Sequence, residues 1–246
     1  MLFFILLNKI DFFFIIIIEK NTIMENTLKK KFTAAEINDM ILQKVKVTLL
    51  LDNSNSMDNK VPSKNNIMVP FKKVFVEAVN KFFQNLIDTG CQFEYDIVTF
   101  NTSIDYLHRN KLSTEFNSID NEYETKGWTS FYDSVGEVIK NLEKDNIINI
   151  LLIVTDGEDN SSTVMTSYTL KTLIDDVEKN NNCKVILLGT EIDTYGLGQK
   201  IGLSKQNSVG FEKTEEGICN IMSDVSYSVG RCITGEIDIK DLEIKK

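Results

Sequence analysis

Positive charge is scarce in this 246-residue chain: Lys and Arg total 27 against 36 Asp and Glu, a formal charge of -9. Such a surface repels a phosphate backbone on average, so no nucleic-acid partner is expected. Histidine is scarcer still. His108 stands alone, with no Ser or Cys in a partner motif, and reads as a surface residue. The four cysteines (Cys91, Cys183, Cys219 and Cys232) lack CxxC spacing, and three fall inside apolar runs. That pattern fits neither a zinc site nor a disulfide frame, and suits buried free thiols in a reducing compartment. There is no Pro-rich linker and no internal repeat. Length and a 42% hydrophobic content allow one sizeable core with flanking segments.

The first flank, residues 1–23, opens with MLFFILLNKIDFFFIIIIEK. Each Phe, Ile or Leu gains roughly 0.3–0.6 kcal/mol on membrane insertion and each of Lys9 and Asp11 costs roughly 2.5–3.5 kcal/mol, which brings the segment near break-even. No small-residue cleavage site follows Ile18, against a secretory signal. Two readings stand side by side. One is a mis-called start, since Phe, Ile, Asn and Lys are what AT-rich codons encode and Met24 opens a conventional soluble sequence. The other is an anchor, with Lys20 and Lys29 to Lys31 holding the domain on the cytoplasmic side. Both leave the folded part cytoplasmic, and a membrane is a partner only if the segment is a genuine anchor. Residues 24–42 read as a linker or extension, 43–232 as the domain, and 233–246 as a charged tail.

Within the domain, short runs rich in Val, Ile and Leu alternate with segments of helical spacing, the pattern of an α/β fold with a parallel sheet covered by helices. Strands are expected at 45–51, 92–100, 148–155, 184–189 and 207–211. INILLIVT and KVILLG are apolar on both faces, as central parallel strands are. Phe71, Val74, Phe75, Ala78, Val79, Phe82, Phe83 and Leu86 mark a helix that Pro70 starts and Gly90 stops. A second carries Phe131, Val135, Val138, Ile139 and Leu142, with Ser130 as N-cap and Asp133 three residues on. Two more are expected near 166–179 and 214–232, and all four stripes read as packing. Residues 101–126 look irregular, with IDYL as a short edge strand. The glycines of GLGQKIG imitate a dinucleotide fingerprint at the wrong spacing and read as a helix-breaking loop.

Chemistry concentrates where strands end. LLLDNSNSMDN places Asp52, Ser54 and Ser56 at alternate positions after the first central strand, and VTDGEDN places Asp156 after another. In an open parallel sheet, ligands bind outside the carboxyl ends of the strands where strand order reverses, so the two carboxylates should meet there. GWTS, just before a helix, adds the Thr129 hydroxyl from the same rim. Alternating extended residues can aim Asp52, Ser54 and Ser56 at one centre, with Asn53 and Asn55 supporting the turn and tolerating left-handed backbone. Five oxygens with only two carboxylates suit a hard octahedral cation, Mg2+ or alternatively Mn2+, that keeps several waters. Because the hydroxyls bring no charge, the ion stays under-neutralised and attracts an Asp or Glu of a protein partner. Glu158 and Asp159 read as solvated loop charge. The sequons at Asn101 and Asn160 matter only in a secreted chain.

DNSNSM, the Thr of GWTS, and TDGEDN resemble, in order and spacing, the three loops of the metal-ion-dependent adhesion site of von Willebrand factor type A domains. The likeness runs over 43–232 and includes the closing VGFEKTEEGICNIMSDVSYSV. It implies a Rossmann-like three-layer sandwich, helices on both faces of a mostly parallel sheet with one antiparallel edge strand, the slot IDYL would fill. It further implies Ser54, Ser56 and Thr129 as hydroxyl ligands, with Asp52 and Asp156 binding the ion directly or holding its waters. The chain departs from the family at Asn55 and Trp128, where glycines are usual, and an exposed Trp128 ring beside the ion would bear on which partner fits.

Two other readings compete with a non-enzymatic, metal-dependent binding domain. A Mg2+-dependent phosphohydrolase of haloacid dehalogenase type also ends its first central strand in Asp, but it needs a second Asp two residues on, where this chain has Ser54. A scaffold would keep the fold and act through another face. Ser54 and Thr129, taken as exposed rim hydroxyls, should be replaceable with little loss of stability.

Overall fold

The computed structural model describes residues 44–142, 147–180, 183–190 and 193–244. The hydrophobic segment 1–23 and the extension 24–42 lie outside them. Its elements, in chain order, begin with β1 (Lys44–Asp52), a hairpin of β2 (Lys60–Pro62) and β3 (Met68–Pro70), α1 (Phe71–Ile87), β4 (Glu94–Phe100) and β5 (Ile104–Leu112). Then come α2 (Phe131–Lys140), β6 (Ile147–Thr155), α3 (Ser167–Asn180), β7 (Cys183–Gly189), α4 (Thr194–Lys200), β8 (Ser208–Gly210) and α5 (Glu215–Ile233).

The main sheet has six strands in the order β5-β4-β1-β6-β7-β8. Every neighbouring pair is parallel except β4 with β5, which is antiparallel and forms the edge. The sheet begins with β1 at its centre, builds outward to β4 and β5, then continues with β6 on the other side of β1. The reversal of strand order therefore falls between β1 and β6, whose register pairs Leu51 with Val154.

Side-chain alternation divides the core into two layers. Val45, Val47, Leu49 and Leu51 of β1 face a layer built with Phe75, Phe82 and Phe83 of α1 and Ile221, Val225 and Val229 of α5, and α1 packs along α5. Leu50 points the other way, into Phe131, Val135 and Ile139 of α2, Leu170 and Ile174 of α3 and Leu197 of α4. β6 is buried along all of its length, and its sequence is apolar apart from the buried Asn149 and the terminal Thr155. Each such fully buried Leu or Ile contributes about 1.5–3 kcal/mol relative to exposure. Pro70 precedes α1, and Gly90 adopts φ +74 just beyond it, where a Cβ would be strained.

The structure departs from the sequence reading in several places. The edge strand is nine residues, not the four of IDYL, and bulges between Tyr95 and Val98 of β4. There Asn110, at φ 50, donates its N–H to Asp96 Oδ1 at 2.6 Å, and Lys46 Nζ reaches Asp96 Oδ2 at 3.0 Å and Asn110 Oδ1 at 2.5 Å. A buried Lys is tolerated because both partners come with it. His108 is a correction: it is buried on β5, its Nδ1 3.3 Å from the Tyr95 hydroxyl and its Nε2 3.2 Å from Glu122. The GLGQKIG segment is also a correction, since Thr194–Lys200 is helix α4, with the Asp193 carboxylate accepting the Gly196 N–H at 2.8 Å. Only Gly202, at φ +89, terminates it. Ser130 precedes α2, yet its side chain makes no capping bond and its Oγ lies 2.8 Å from Ser161 Oγ. Past α5, Ile239, Leu242 and Ile244 return to the core, so the stretch read as a charged tail alternates charge outward with apolar residues inward. None of the four cysteines forms a disulfide, and Cys183 and Cys232 are buried; burial pushes the Cys183 thiol up to about 12. No helix among the described residues is long and apolar enough to cross a membrane.

Candidate metal-binding site

Asp52 ends β1 and Asp156 follows β6, so the sheet sets the two carboxylates side by side at its carboxyl edge, where strand order reverses. Asp52 is wholly buried, and both its oxygens are used: Oδ1 accepts the Ser54 N–H at 2.8 Å, and Oδ2 accepts the Thr155 hydroxyl at 2.6 Å. Burial pushes its carboxyl up to about 6, against the lowering effect of those two donors. The Tyr123 hydroxyl, also buried, donates to the Asp52 carbonyl.

From Asp52 the chain turns into a short 3-10 segment, Asn55–Asp58. Ser54 Oγ lies 3.0 Å from Ser56 Oγ, and Ser56 Oγ donates to Asp156 Oδ1 at 2.6 Å. Three of the expected hydroxyl and carboxylate groups thus form one chain from the β1 loop to the β6 loop, and the Ser54 amide ties Asp52 to it. Thr129 comes from the third loop. Its N–H donates to Asn160 Oδ1 at 2.9 Å and its carbonyl accepts the Asn160 N–H at 2.9 Å. A methyl placed on Gly157 would lie 3.6 Å from Thr129 Oγ1, so that hydroxyl faces the turn carrying Asp156. Ser54 and Thr129 are buried, which corrects their reading as exposed rim groups.

The asparagines support the loops differently from expectation. Asn55 is not left-handed; it opens the 3-10 turn and donates its N–H to the Gly127 carbonyl at 3.2 Å, while Gly127 takes the left-handed conformation at φ +74. Asn53 is buried, donates Nδ2 to the Glu124 carbonyl at 2.7 Å and accepts from Asn101 Nδ2 at 2.9 Å. It therefore pins the loop before Thr129 to the end of β1. Asp159 is not merely solvated charge, since it accepts the Tyr132 N–H at 3.3 Å and the Ser162 hydroxyl. Trp128 remains 69% exposed next to Thr129.

One participant escapes the sequence reading. Lys213, between β8 and α5, places Nζ 2.9 Å from Asp156 Oδ2 and 3.4 Å from the Ser56 carbonyl, with a side chain only 4% exposed. Nothing in GFEKTEEG marks it as different from other loop lysines.

The donor set fits a small hard cation. Neighbouring corners of an octahedron with arms of about 2.0–2.1 Å lie about 2.9 Å apart, and Ser54 Oγ and Ser56 Oγ stand 3.0 Å apart. Among the described residues no three His, Cys, Asp or Glu side chains gather as a metal-holding group. A site here would have to use hydroxyls, as Ser54, Ser56 and Thr129 allow.

No protein-family model matches the sequence, and no curated protein matches it. Solved structures do share its fold. The chain is similar to the PilB minor pilin from Streptococcus sanguinis, with a TM-score of 0.57 at 12% identity, over 78% of this chain and 62% of that one. It is similar to a von Willebrand factor type A protein from Catenulispora acidiphila, with a TM-score of 0.50 at 15% identity, over 78% and 43%. It is also similar to the ArnB paralog VWA2 from Sulfolobus acidocaldarius, with a TM-score of 0.50 at 15% identity, over 74% and 45%. The chain spans less than two thirds of the length of each of these structures. The fold is von Willebrand factor type A-like, a Rossmann-like α/β sandwich with a mostly parallel sheet and one antiparallel edge strand.

Proposed function

We propose that this domain is a metal-dependent protein-binding module with an adhesion-type site, non-enzymatic and cytoplasmic, in which Asp52, Ser54, Ser56, Thr129 and Asp156 hold Mg2+, or Mn2+ in its place. The observation that carries the reading is the chain of oxygens Ser54 Oγ, Ser56 Oγ and Asp156 Oδ1, spaced 3.0 and 2.6 Å at the reversal point of the sheet. The bound ion would supply a coordination position open to a carboxylate from outside. Ser56 and Asp156 join two loops into one wall, Asn53 and Asn160 hold the backbone on either side, and Thr155 orients the Asp52 carboxylate. Neutral hydroxyls fill the other protein positions and leave one position of the ion open, which an Asp or Glu from a partner protein can take. Trp128 adds an exposed apolar surface beside that position.

Calorimetric titration of the chain with Mg2+ and Mn2+, beside an Asp52→Ala, Ser54→Ala variant, tests this. One saturable site lost in the variant supports the reading, and equal heats from both proteins sink it. Besides the strand-end Asp52, the buried Lys213 also suits a phosphohydrolase, as a cation near the carboxylates. Ser54 in place of a second Asp argues against that chemistry. Turnover of phosphate monoesters abolished by Asp52→Asn would reverse the choice. Partner capture that survives chelation and Asp156→Ala would favour a metal-independent scaffold.

A further inference from the structure

Asp156 divides its two oxygens between different neighbours. Oδ1 accepts from Ser56 Oγ at 2.6 Å, and Oδ2 faces the Lys213 ammonium at 2.9 Å. The lysine approaches from the loop between β8 and α5, reaches the Ser56 carbonyl at 3.4 Å and lies 5.7 Å from the centre of the Phe71 ring. It thus touches both residues that close the oxygen chain. Its side chain and that of Asp156 are 4% and 0% exposed, so solvent does little to screen the charge between them.

We propose that Lys213 is a tethered cation that sets the affinity of the candidate metal site and biases it toward an anionic partner; the proposal rests on the metal-binding reading above. With no divalent ion bound, the ammonium neutralises Asp156. When an ion enters, two carboxylates and one ammonium give it a net single negative charge from the chain rather than two. The ion is then held more weakly, and the filled site carries a net positive charge that a carboxylate from outside would relieve. A purely structural lysine, anchoring the start of α5 to the β1 loop, would leave metal affinity unchanged when its charge is removed.

Titration of the full 246-residue chain with MgCl2 and MnCl2 separates these roles, using wild type, Lys213→Gln and Lys213→Arg. The glutamine keeps an N–H donor but no charge and should bind metal about tenfold more tightly or better, because a like charge has left a poorly screened site. The arginine should stay close to wild type. Thermal unfolding gives a second readout: metal should raise the melting temperature of Lys213→Gln by more than that of wild type. If Lys213→Gln folds only with metal present, the metal concentration that folds it decides: a midpoint below the wild-type Kd supports the proposal, and one at or above it overturns it. Equal or weaker binding by Lys213→Gln, with one-site binding in wild type, overturns the proposal and leaves the metal reading standing. A Lys213→Gln protein unfolded even in excess metal assigns the lysine to the fold and overturns it too. An absence of saturable binding in both wild type and Lys213→Gln overturns the proposal and the metal reading together.

Discussion

The Ser56 hydroxyl donates to Asp156 Oδ1 at 2.6 Å across a hundred residues of sequence. It joins the loop after β1 to the loop after β6, the two loops that meet where the strand order turns back. Ser56→Ala should lower Mg2+ affinity by about tenfold or more, the usual cost of disturbing a ligand or its support. Stability should change by less than about 1.5 kcal/mol, the net worth of one ordinary hydrogen bond. Calorimetry and urea unfolding in chelator would read the two effects separately. A large loss of stability with affinity unchanged would mean that Ser56 is a structural latch.

Asp52 offers a sharper distinction, because it is buried with two donors aimed at it, the Ser54 N–H and the Thr155 hydroxyl. Asp52→Ala strands the Ser54 N–H, at about 1–3 kcal/mol for a buried unsatisfied group, while the Thr155 hydroxyl is left with only the Gly157 carbonyl at 3.1 Å. Asp52→Asn keeps an acceptor and removes a charge that burial disfavours. In chelator, unfolding in urea should therefore rank Asn at or above wild type and Ala well below. Both variants should fail to bind Mg2+. An Asn variant as unstable as the Ala variant would show that the charge itself supports the metal-free fold.

The glycines of α4 make a test of packing. A Cβ on Gly198 would stand 2.0 Å from Ser208 Oγ and 2.5 Å from Ser208 Cβ, and the second atom is fixed by the backbone of β8. Helix propensity favours Ala over Gly by about 1 kcal/mol, but forced overpacking costs about 1–3 kcal/mol. Gly198→Ala should destabilise on balance, and Gly198→Ala with Ser208→Gly should recover part of the loss. A Gly198→Ala protein more stable than wild type in urea would mean that α4 can slide away from β8.

How much of this was legible in the sequence depends on the range of the interactions. β1, β6 and β7 were readable because strands buried on both faces carry unbroken apolar runs, here at 49–51, 150–154 and 185–188, and α1 because nine of its residues are buried at helical spacing. The loops carrying Asp52, Ser54, Ser56, Thr129 and Asp156 could be located from sequence because each follows a predicted strand or precedes a predicted helix. β5 was readable only over IDYL, since its inward residues include Tyr106 and the buried His108, which break the apolar pattern. α4 was hidden by two glycines, present for close packing against Ser208 and Asp193 rather than for a turn. Lys213 was invisible because its role comes wholly from a contact 57 residues beyond Asp156, and an isolated loop lysine carries no local signal.

Asp133, read from the sequence as part of a capping pattern, instead holds the loop beyond the candidate site. Its carboxylate accepts the backbone N–H groups of Thr163 at 2.8 Å and Met165 at 2.6 Å, and that of Val164 at 3.1 Å. Burial raises its pKa, but the three amides outweigh that and leave it below the ordinary 3.8. With the folded value lower than the unfolded one, the carboxylate's contribution is complete above about pH 4 and is lost as pH falls through the folded value. Asp133→Ala should cost about 1–2 kcal/mol at neutral pH. The gap between wild type and variant should narrow below pH 4. Urea unfolding at pH 7 and pH 3, with hydrogen exchange at residues 163–165, would follow both effects. A gap equal at the two pH values would show that the side chain acts through packing and not through its charge.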